Sequence, residues 1–320
     1  MAILVTGGAG FIGSHLIERL LATRADDIVC LDNFNDYYDP RLKRANVSSF
    51  EQHPRVRIVE GSLCSRRTLK ALFQCHAIDV VVHLGAYAGV RASFATPLIY
   101  EKTNAGGTLA LLDAATRAGV GRFLLASSST VYGLGAAVPF EEDQPLGTPS
   151  SPYGASKRSA ELLSLLYHQV HRLPVVILRL FSVYGPRLRP DLAMTIFAKA
   201  LTTGRAIKLS AGGIVRRDFT YVDDVCDGLL AALDSDRAIG HAINLGSNHP
   251  VSMIEMIGML ESAVHARAII ERRAPALGDL PITCADLTKA ESLLGYRPRV
   301  GLADGIERFA AWFVSQARLN

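Results

Sequence analysis

Tyr153 and Lys157 stand four residues apart in Tyr153-Gly154-Ala155-Ser156-Lys157, a spacing that puts both on one face of a helix. A free tyrosine, with a pKa of about 10, is protonated at neutral pH and a poor base. A neighbouring ammonium favours the phenolate, and so does the positive ring of an oxidised nicotinamide. A phenol tuned in that way can take a proton from a substrate hydroxyl while a hydride leaves the same carbon. The polar run Ser127-Ser128-Ser129-Thr130 lies upstream and offers a hydroxyl to hold the reacting oxygen. Hydroxyl, tyrosine and lysine together form a set for alcohol-to-ketone chemistry.

Such chemistry needs a dinucleotide, and the N-terminus reads as its cradle. Gly7, Gly10 and Gly13 give a GxxGxxG spacing between a strand at Ile3–Thr6 and a helix at Phe11–Ala22. Small residues let the backbone turn tightly against a pyrophosphate, and the helix start at Phe11 and Ile12 offers free N–H groups to that anion. Asp32 ends the second strand, 19 residues after Gly13. A carboxylate there accepts the adenosine ribose hydroxyls and repels a 2′-phosphate, which favours NAD over NADP.

The elements that position these residues alternate. Strands are expected at Ile28–Leu31, Val56–Val59, Asp79–Leu84, Arg122–Ala126 and Val175–Leu180, with helices at Thr108–Ala118 and Pro152–Arg172. Asp79–Leu84 is nearly all apolar, as a strand buried on both faces should be. The fold class is therefore α/β, a Rossmann-type doubly wound parallel sheet. Past Val183 the alternation breaks at Gly185-Pro186 and Arg189-Pro190-Asp191. Residues 1–180 are read as the NAD-binding unit and 181–320 as mainly a smaller C-terminal substrate lobe, with Asp218–Leu233 and His241–Leu245 returning to the main sheet.

Composition bounds the rest. Of 320 residues, 49% are hydrophobic and 20% charged, ordinary for a globular chain. No apolar run approaches the roughly 18 residues of a membrane span, and the chain opens on a strand without a signal-peptide pattern, so a cytoplasmic protein is expected. Cys30, Cys64, Cys75, Cys226 and Cys284 are scattered; they are read as buried reduced thiols, with neither a metal site nor a disulfide framework. The net charge of +4 suits an anionic substrate, and no basic run is long enough for nucleic acid.

Five ordered segments carry a resemblance: Thr6–Leu16, Ser127–Gly133, Tyr153–Lys157, Arg217–Val225 and Leu293–Pro298. The chain resembles, end to end, the extended short-chain dehydrogenase/reductase family, and within it the nucleotide-sugar 4-epimerases. The segments Asp32–Pro40, Ala88–Ser93 and Tyr184–Ala193 are most similar to the UDP-glucuronate 4-epimerase branch. UDP-glucose 4-epimerases are the alternative, and a non-catalytic NAD-binding protein is the reading from another class. The latter predicts a damaged Ser-Tyr-Lys set.

The resemblance implies Tyr153 as acid/base, Lys157 as its partner and Ser128 as the hydroxyl that holds the oxygen. It implies cofactor contacts from Asn33, Ser62, Leu63, Leu84, Ala86 and Ser127. For a UDP-sugar it implies Gly89, Ser129 and Thr130 near the sugar, Arg217 at the diphosphate, Asp279 at the uridine ribose, and Ser182 with Arg189 at a sugar carboxylate. Related dehydratases and decarboxylases carry acid residues where this chain has Ser129 and Thr130. Ser62-Leu63 replaces the family's Asp-Ile or Asp-Leu, Ser182 a threonine or asparagine, Gly85 an alanine and Leu277 a proline. A homodimer through Thr108–Ala118 and Ser159–Arg172 is also implied.

Overall fold

A computed structural model describes residues 1–274 and 278–317; Leu277 lies outside them. Seven strands build the main sheet: β1 (Ala2–Thr6), β2 (Asp27–Asp32), β3 (Val56–Glu60), β4 (Ile78–His83), β5 (Arg122–Ser128), β6 (Val175–Leu180) and, later in the chain, β10 (Ala242–Leu245). Between them come β7 (Ser182–Tyr184), β8 (Ala206–Ser210) and β9 (Arg216–Tyr221), followed by β11 (Pro250–Ser252) and β12 (Ile269–Arg273). The order across the main sheet is β10-β6-β5-β4-β1-β2-β3, parallel throughout. Strand order reverses between β1 and β4, the point at which open α/β sheets leave a crevice for ligands.

The pleat sends alternate side chains to opposite layers. Ile3 and Val5 join one buried cluster while Leu4 joins the other. Helices Phe11–Thr23 and Val222–Asp234 pack together on the first face, and Arg66–Cys75, Thr108–Arg117 and Pro152–His171 cover the second. Strand β9, within the segment expected to return to the main sheet, instead sits in a separate sheet ordered β11-β9-β7. Only the helix that follows it packs back. Strands β8 and β12 form a third, two-stranded parallel sheet.

Strand β5 runs two residues further than its apolar stretch, with Ser127 opposite Arg179 and Ser128 opposite Leu180 on β6. A buried charge makes this possible. Arg179 donates from Nε and Nη2 to the two oxygens of Glu161, at 3.0 and 2.9 Å, and the Ser127 hydroxyl donates to the same carboxylate. The polar strand end is thereby satisfied inside the protein.

One buried string of hydrogen bonds joins the first turn to the later helices. The Gly85 amide donates to Thr6 Oγ1 at 3.1 Å, and Thr6 Oγ1 lies 2.7 Å from His83 Nδ1. His83 Nε2 lies 2.8 Å from Thr108 Oγ1, which donates to the Asn104 carbonyl. Since the Thr108 proton is spent on that carbonyl, Nε2 carries the imidazole hydrogen and Nδ1 accepts from Thr6. Asn104 lies in a π-helical turn, Glu101–Gly107, a rare geometry that concentrates at functional sites. Its side chain bonds both backbone groups of Tyr87 at 2.8 Å and reaches Ser156 Oγ at 3.0 Å.

Burial, with a smaller push from the Lys157 charge, drives the His83 pKa down from 6.5 to about 3. An unfolded chain therefore binds one more proton at this residue between those values, so stability is lost as pH falls through that window. A His83→Gln variant keeps a donor and an acceptor but cannot titrate. Its melting temperature should fall less than that of the parent when acidified from above pH 6.5 towards pH 3. Equal acid slopes would exclude His83 as a source of acid sensitivity.

Candidate functional site

The crevice at the switch point is one continuous cavity of about 980 Å³. Every residue expected at the cofactor or sugar lines it: the loop Gly7, Gly10, Phe11, Ile12 and Gly13; Asp32 and Asn33; Ser62 and Leu63; Leu84 and Ala86; Ser127 to Thr130; Tyr153 and Lys157; and Gly89, Ser182, Arg189, Arg217 and Asp279. The ends of β1 to β6, the starts of helices Phe11–Thr23 and Pro152–His171, strand β9 and loops distant in sequence supply them.

The glycines divide their work. Gly7 has φ +67°, and a Cβ there would sit 2.8 Å from the Gly85 Cα. A Cβ on Gly85, where the family has alanine, would meet Leu63 Cδ1 at 2.9 Å and the Gly7 nitrogen at 3.2 Å. A Cβ on Gly13 would lie 2.3 Å from the Gly7 carbonyl oxygen, whereas one on Gly10 meets only that oxygen, at 3.1 Å. Gly7 thus turns the chain, Gly13 seats helix on strand, and Gly10 keeps the outer wall bare. Gly10 caps the helix without a side-chain bond, so the first amides are free for an anion. This cradle fits a dinucleotide pyrophosphate.

Asp32 is buried, and its oxygens accept from the Phe34 amide at 2.9 Å and the Ala9 amide at 3.3 Å. Lys43 Nζ lies 3.7 Å from Asp32 Oδ1 and donates to Asn35 Oδ1 at 2.6 Å. No motif flags Lys43; it enters from the helix Pro40–Val47, which Asp39 caps. Burial lowers its pKa, against the pull of Asp32. Ser62 Oγ accepts from the Cys64 amide at 3.2 Å, so this hydroxyl holds its own turn where the family's carboxylate would stand. Ser127, expected at the cofactor, lines the cavity with its hydroxyl committed to Glu161.

Helix Pro152–His171 starts at Ser151, whose side chain accepts from the Gly154 amide. That start places Tyr153 and Lys157 at the end of β5. The Ser128 hydroxyl lines the cavity with Tyr153 and accepts from Thr130 Oγ1 at 3.0 Å. Burial pushes the Tyr153 pKa up, opposed by Ser128 and by the charge of Arg189. The helical spacing predicts Lys157 as the group that tunes this phenol. The ammonium donates to the Ala126 carbonyl at 2.8 Å, and burial pulls its pKa down to about 8 while Glu161 one turn on pulls the other way.

Two arginines meet near the far end. Arg217 Nη1 donates to the Leu280 carbonyl at 2.7 Å and its Nη2 lies 3.7 Å from Asp279. Arg91, not singled out by the sequence reading, donates to the other Asp279 oxygen at 3.2 Å. Asp279 therefore orders a pair of cations. Arg189 makes a two-pronged bond to Asp191 at 2.9 and 2.7 Å. Burial opposes its charge, but Asp191 more than compensates and keeps the guanidinium protonated.

A Rossmann sheet, a glycine cradle that fits a pyrophosphate, a buried carboxylate at the end of the second strand and a Ser-Tyr-Lys set define a nicotinamide-dependent enzyme of the short-chain dehydrogenase/reductase class. Residues 3–246 match the NAD dependent epimerase/dehydratase family, and the chain belongs to that family. It is 38% identical over 330 residues to UDP-glucuronate 4-epimerase 3 of Arabidopsis thaliana, covering 98% of this chain and 76% of that one. It is 38% identical over 311 residues to UDP-glucuronate 4-epimerase of Thermodesulfobacterium geofontis, covering 97% and 95%. The crystal structure of UDP-glucuronic acid 4-epimerase from Bacillus cereus, in complex with UDP-glucuronic acid and NAD, superposes with a TM-score of 0.94 at 37% identity, covering 99% of this chain and all of that one.

The glycine geometry predicts a split between two substitutions. Gly10→Ala and Gly13→Ala should both purify with little NAD, measured by absorbance after heat release. Only Gly13→Ala should also lower the melting temperature of cofactor-free protein, because only there does the methyl collide with backbone at 2.3 Å. Wild-type melting in Gly13→Ala would contradict the packing role.

Proposed function

We propose that the protein interconverts UDP-glucuronate and UDP-galacturonate by 4-epimerisation, with NAD as a resident cofactor. The observation that carries this reading is a guanidinium, Arg189, lining the same cavity as Ser128, Tyr153 and Lys157. A carboxylate at C6 is what separates a glucuronate from a glucose, and an arginine is its natural complement. The names of the relatives reported above support the same substrate.

The residues divide the work as follows. Tyr153 takes the proton of the sugar 4-hydroxyl and later returns it, while Ser128 and Thr130 hold the oxygen. Lys157 and the ribose carboxylate Asp32 orient the cofactor, which, when bound, stores the C4 hydride and adds positive charge beside the phenol. Arg217, with Arg91 and Asp279, holds the UDP end while the 4-keto sugar turns to present its other face. Ser182 and Arg189 hold the carboxylate. That grip matters because a 4-keto uronate is a β-keto acid, whose C5–C6 bond breaks readily when aligned with the ketone π system, releasing carbon dioxide. Residues 1–180 with 222–245 form the cofactor unit on this reading, and the rest of 181–320 mainly the sugar lobe.

UDP-glucose is the competing substrate, because Arg189 already has a counter-ion in Asp191 and a neutral C6 group strands no unpaired charge. Purified protein incubated without added NAD should convert UDP-glucuronate to UDP-galacturonate, read by NMR. Tyr153→Phe should lower kcat by about 10²–10⁴-fold with NAD still copurifying. Absence of UDP-galacturonate from the wild-type reaction would overturn the proposal.

The setting is proposed to be cytoplasmic and the assembly a homodimer. None of the described helices is long and apolar enough to cross a membrane. All five cysteines are free, as suits a reducing compartment; Cys75 is exposed and Cys64 half-buried rather than both buried as expected. Leu162, Leu166 and Val170 lie exposed at four-residue steps on helix Pro152–His171, beside exposed Leu109 on the adjoining helix. Two such helices from each copy can close an apolar bundle. Sedimentation should give a dimer for the wild type and a monomer for Leu166→Asp; a monomeric wild type would refute this assembly.

A further inference from the structure

The three segments that single out the uronate branch in the sequence, Asp32–Pro40, Ala88–Ser93 and Tyr184–Ala193, converge on one knot around Arg189. Its Nε donates to Asp191 Oδ1 at 2.9 Å, and Nη2 donates to Asp191 Oδ2 at 2.7 Å and to the Ala88 carbonyl at 3.0 Å. A guanidinium has five N–H donors. These bonds use the one on Nε and both on Nη2, so only Nη1 remains without a partner in the knot.

The brace is itself braced. The Tyr37 hydroxyl lies 2.8 Å from the Ala88 carbonyl and 3.3 Å from Asp191 Oδ2. The guanidinium lies 5.4 Å from the centre of the Tyr37 ring, within cation–π range. Gly89 has φ +126°, and a Cβ there would stand 2.9 Å from the Tyr37 hydroxyl, so glycine is what lets the three segments meet.

We propose that Asp191, held by Tyr37 and Gly89, determines specificity by fixing Arg189 so that Nη1 alone is offered to the carboxylate of the sugar. This rests on the reading that Arg189 meets that carboxylate. The pairing does two things at once. It fixes the direction of approach, which holds rotation at C5 away from the alignment that expels carbon dioxide. It also removes the net charge of Arg189, so the grip is directional rather than a general attraction for anions. Asp191 is a positioning residue here and touches no reacting atom.

The test compares the wild type with Asp191→Asn and Tyr37→Phe, all carrying copurified NAD. For Asp191→Asn the KM for UDP-glucuronate should rise by about tenfold, the scale of one lost charge-assisted hydrogen bond. The share of turnovers ending in a decarboxylated pentose should rise with it. The Kd for UDP, measured by calorimetry, should stay at the wild-type value, since the diphosphate end is untouched. Tyr37→Phe should move the same two quantities by less. If Asp191→Asn weakens UDP and UDP-glucuronate alike, the residue merely supports the lobe and the proposal fails. If it matches the wild type in KM and by-product, the proposal also fails. If the wild type itself leaves UDP-glucuronate unchanged, the substrate reading fails first and takes this inference with it. The wild-type arm therefore reports on the substrate and the variant arms on the brace.

Discussion

The cofactor loop and the reactive helix are separated by roughly half the chain, yet they must be registered to each other within a fraction of an ångström for a hydride to move. The buried string from Gly85 through Thr6, His83 and Thr108 to the Asn104 turn supplies that register. Each proton in it has one direction, because the neutral imidazole must donate from one nitrogen and accept on the other. The Asn104 side chain then passes the constraint on, to the Tyr87 backbone on one side and to Ser156, inside the Tyr-Lys segment, on the other. A π-helical turn is a costly way to orient one amide. Its location between cradle and catalytic helix is what the expense secures.

Much of this was legible in the sequence, for a physical reason. Glycines at fixed steps, a strand-end carboxylate and a helical Tyr-Lys pair depend on local backbone geometry, so the cradle, Asp32 and the Ser-Tyr-Lys segment could be read directly. Apolar runs likewise marked the first six strands of the main sheet, β1 to β6. What escaped reading was polar and non-local. The extension of β5 through Ser127 and Ser128 depends on a buried Arg179–Glu161 pair whose partners sit 18 residues apart on different elements. Lys43 carries no motif, and Arg91 and Asp191, though they lie in segments that mark the uronate branch, acquire a contact only when loops meet. Spacing places Lys157 on the face of Tyr153 but fixes no hydrogen-bond partner, and one of the ammonium's three donors goes to the Ala126 carbonyl.

The fold by itself does not choose among the reactions its family runs; the site does. At the serine run the side chains are hydroxyls, and the ionisable groups of the sugar end are an arginine braced by an aspartate and an arginine pair around Asp279. The cavity thus carries arginines at two places, Arg189 and the Arg91–Arg217 pair, with hydroxyls and the Lys157 ammonium elsewhere along its wall. A nucleotide sugar with a charged C6 carries anionic groups at two places as well.

The Lys43–Asp32 pair has a consequence for how the cofactor preference could drift over time. With Asp32 at the ribose, as proposed above, discrimination against a 2′-phosphate would be a contest between two opposite charges 3.7 Å apart. Were Asp32 to lose its charge, the ammonium left behind would be a buried cation in want of an anion, and a phosphate at that ribose is the anion nearest to hand. The fold thus keeps the beginnings of the opposite cofactor choice in reserve, a single substitution away from view.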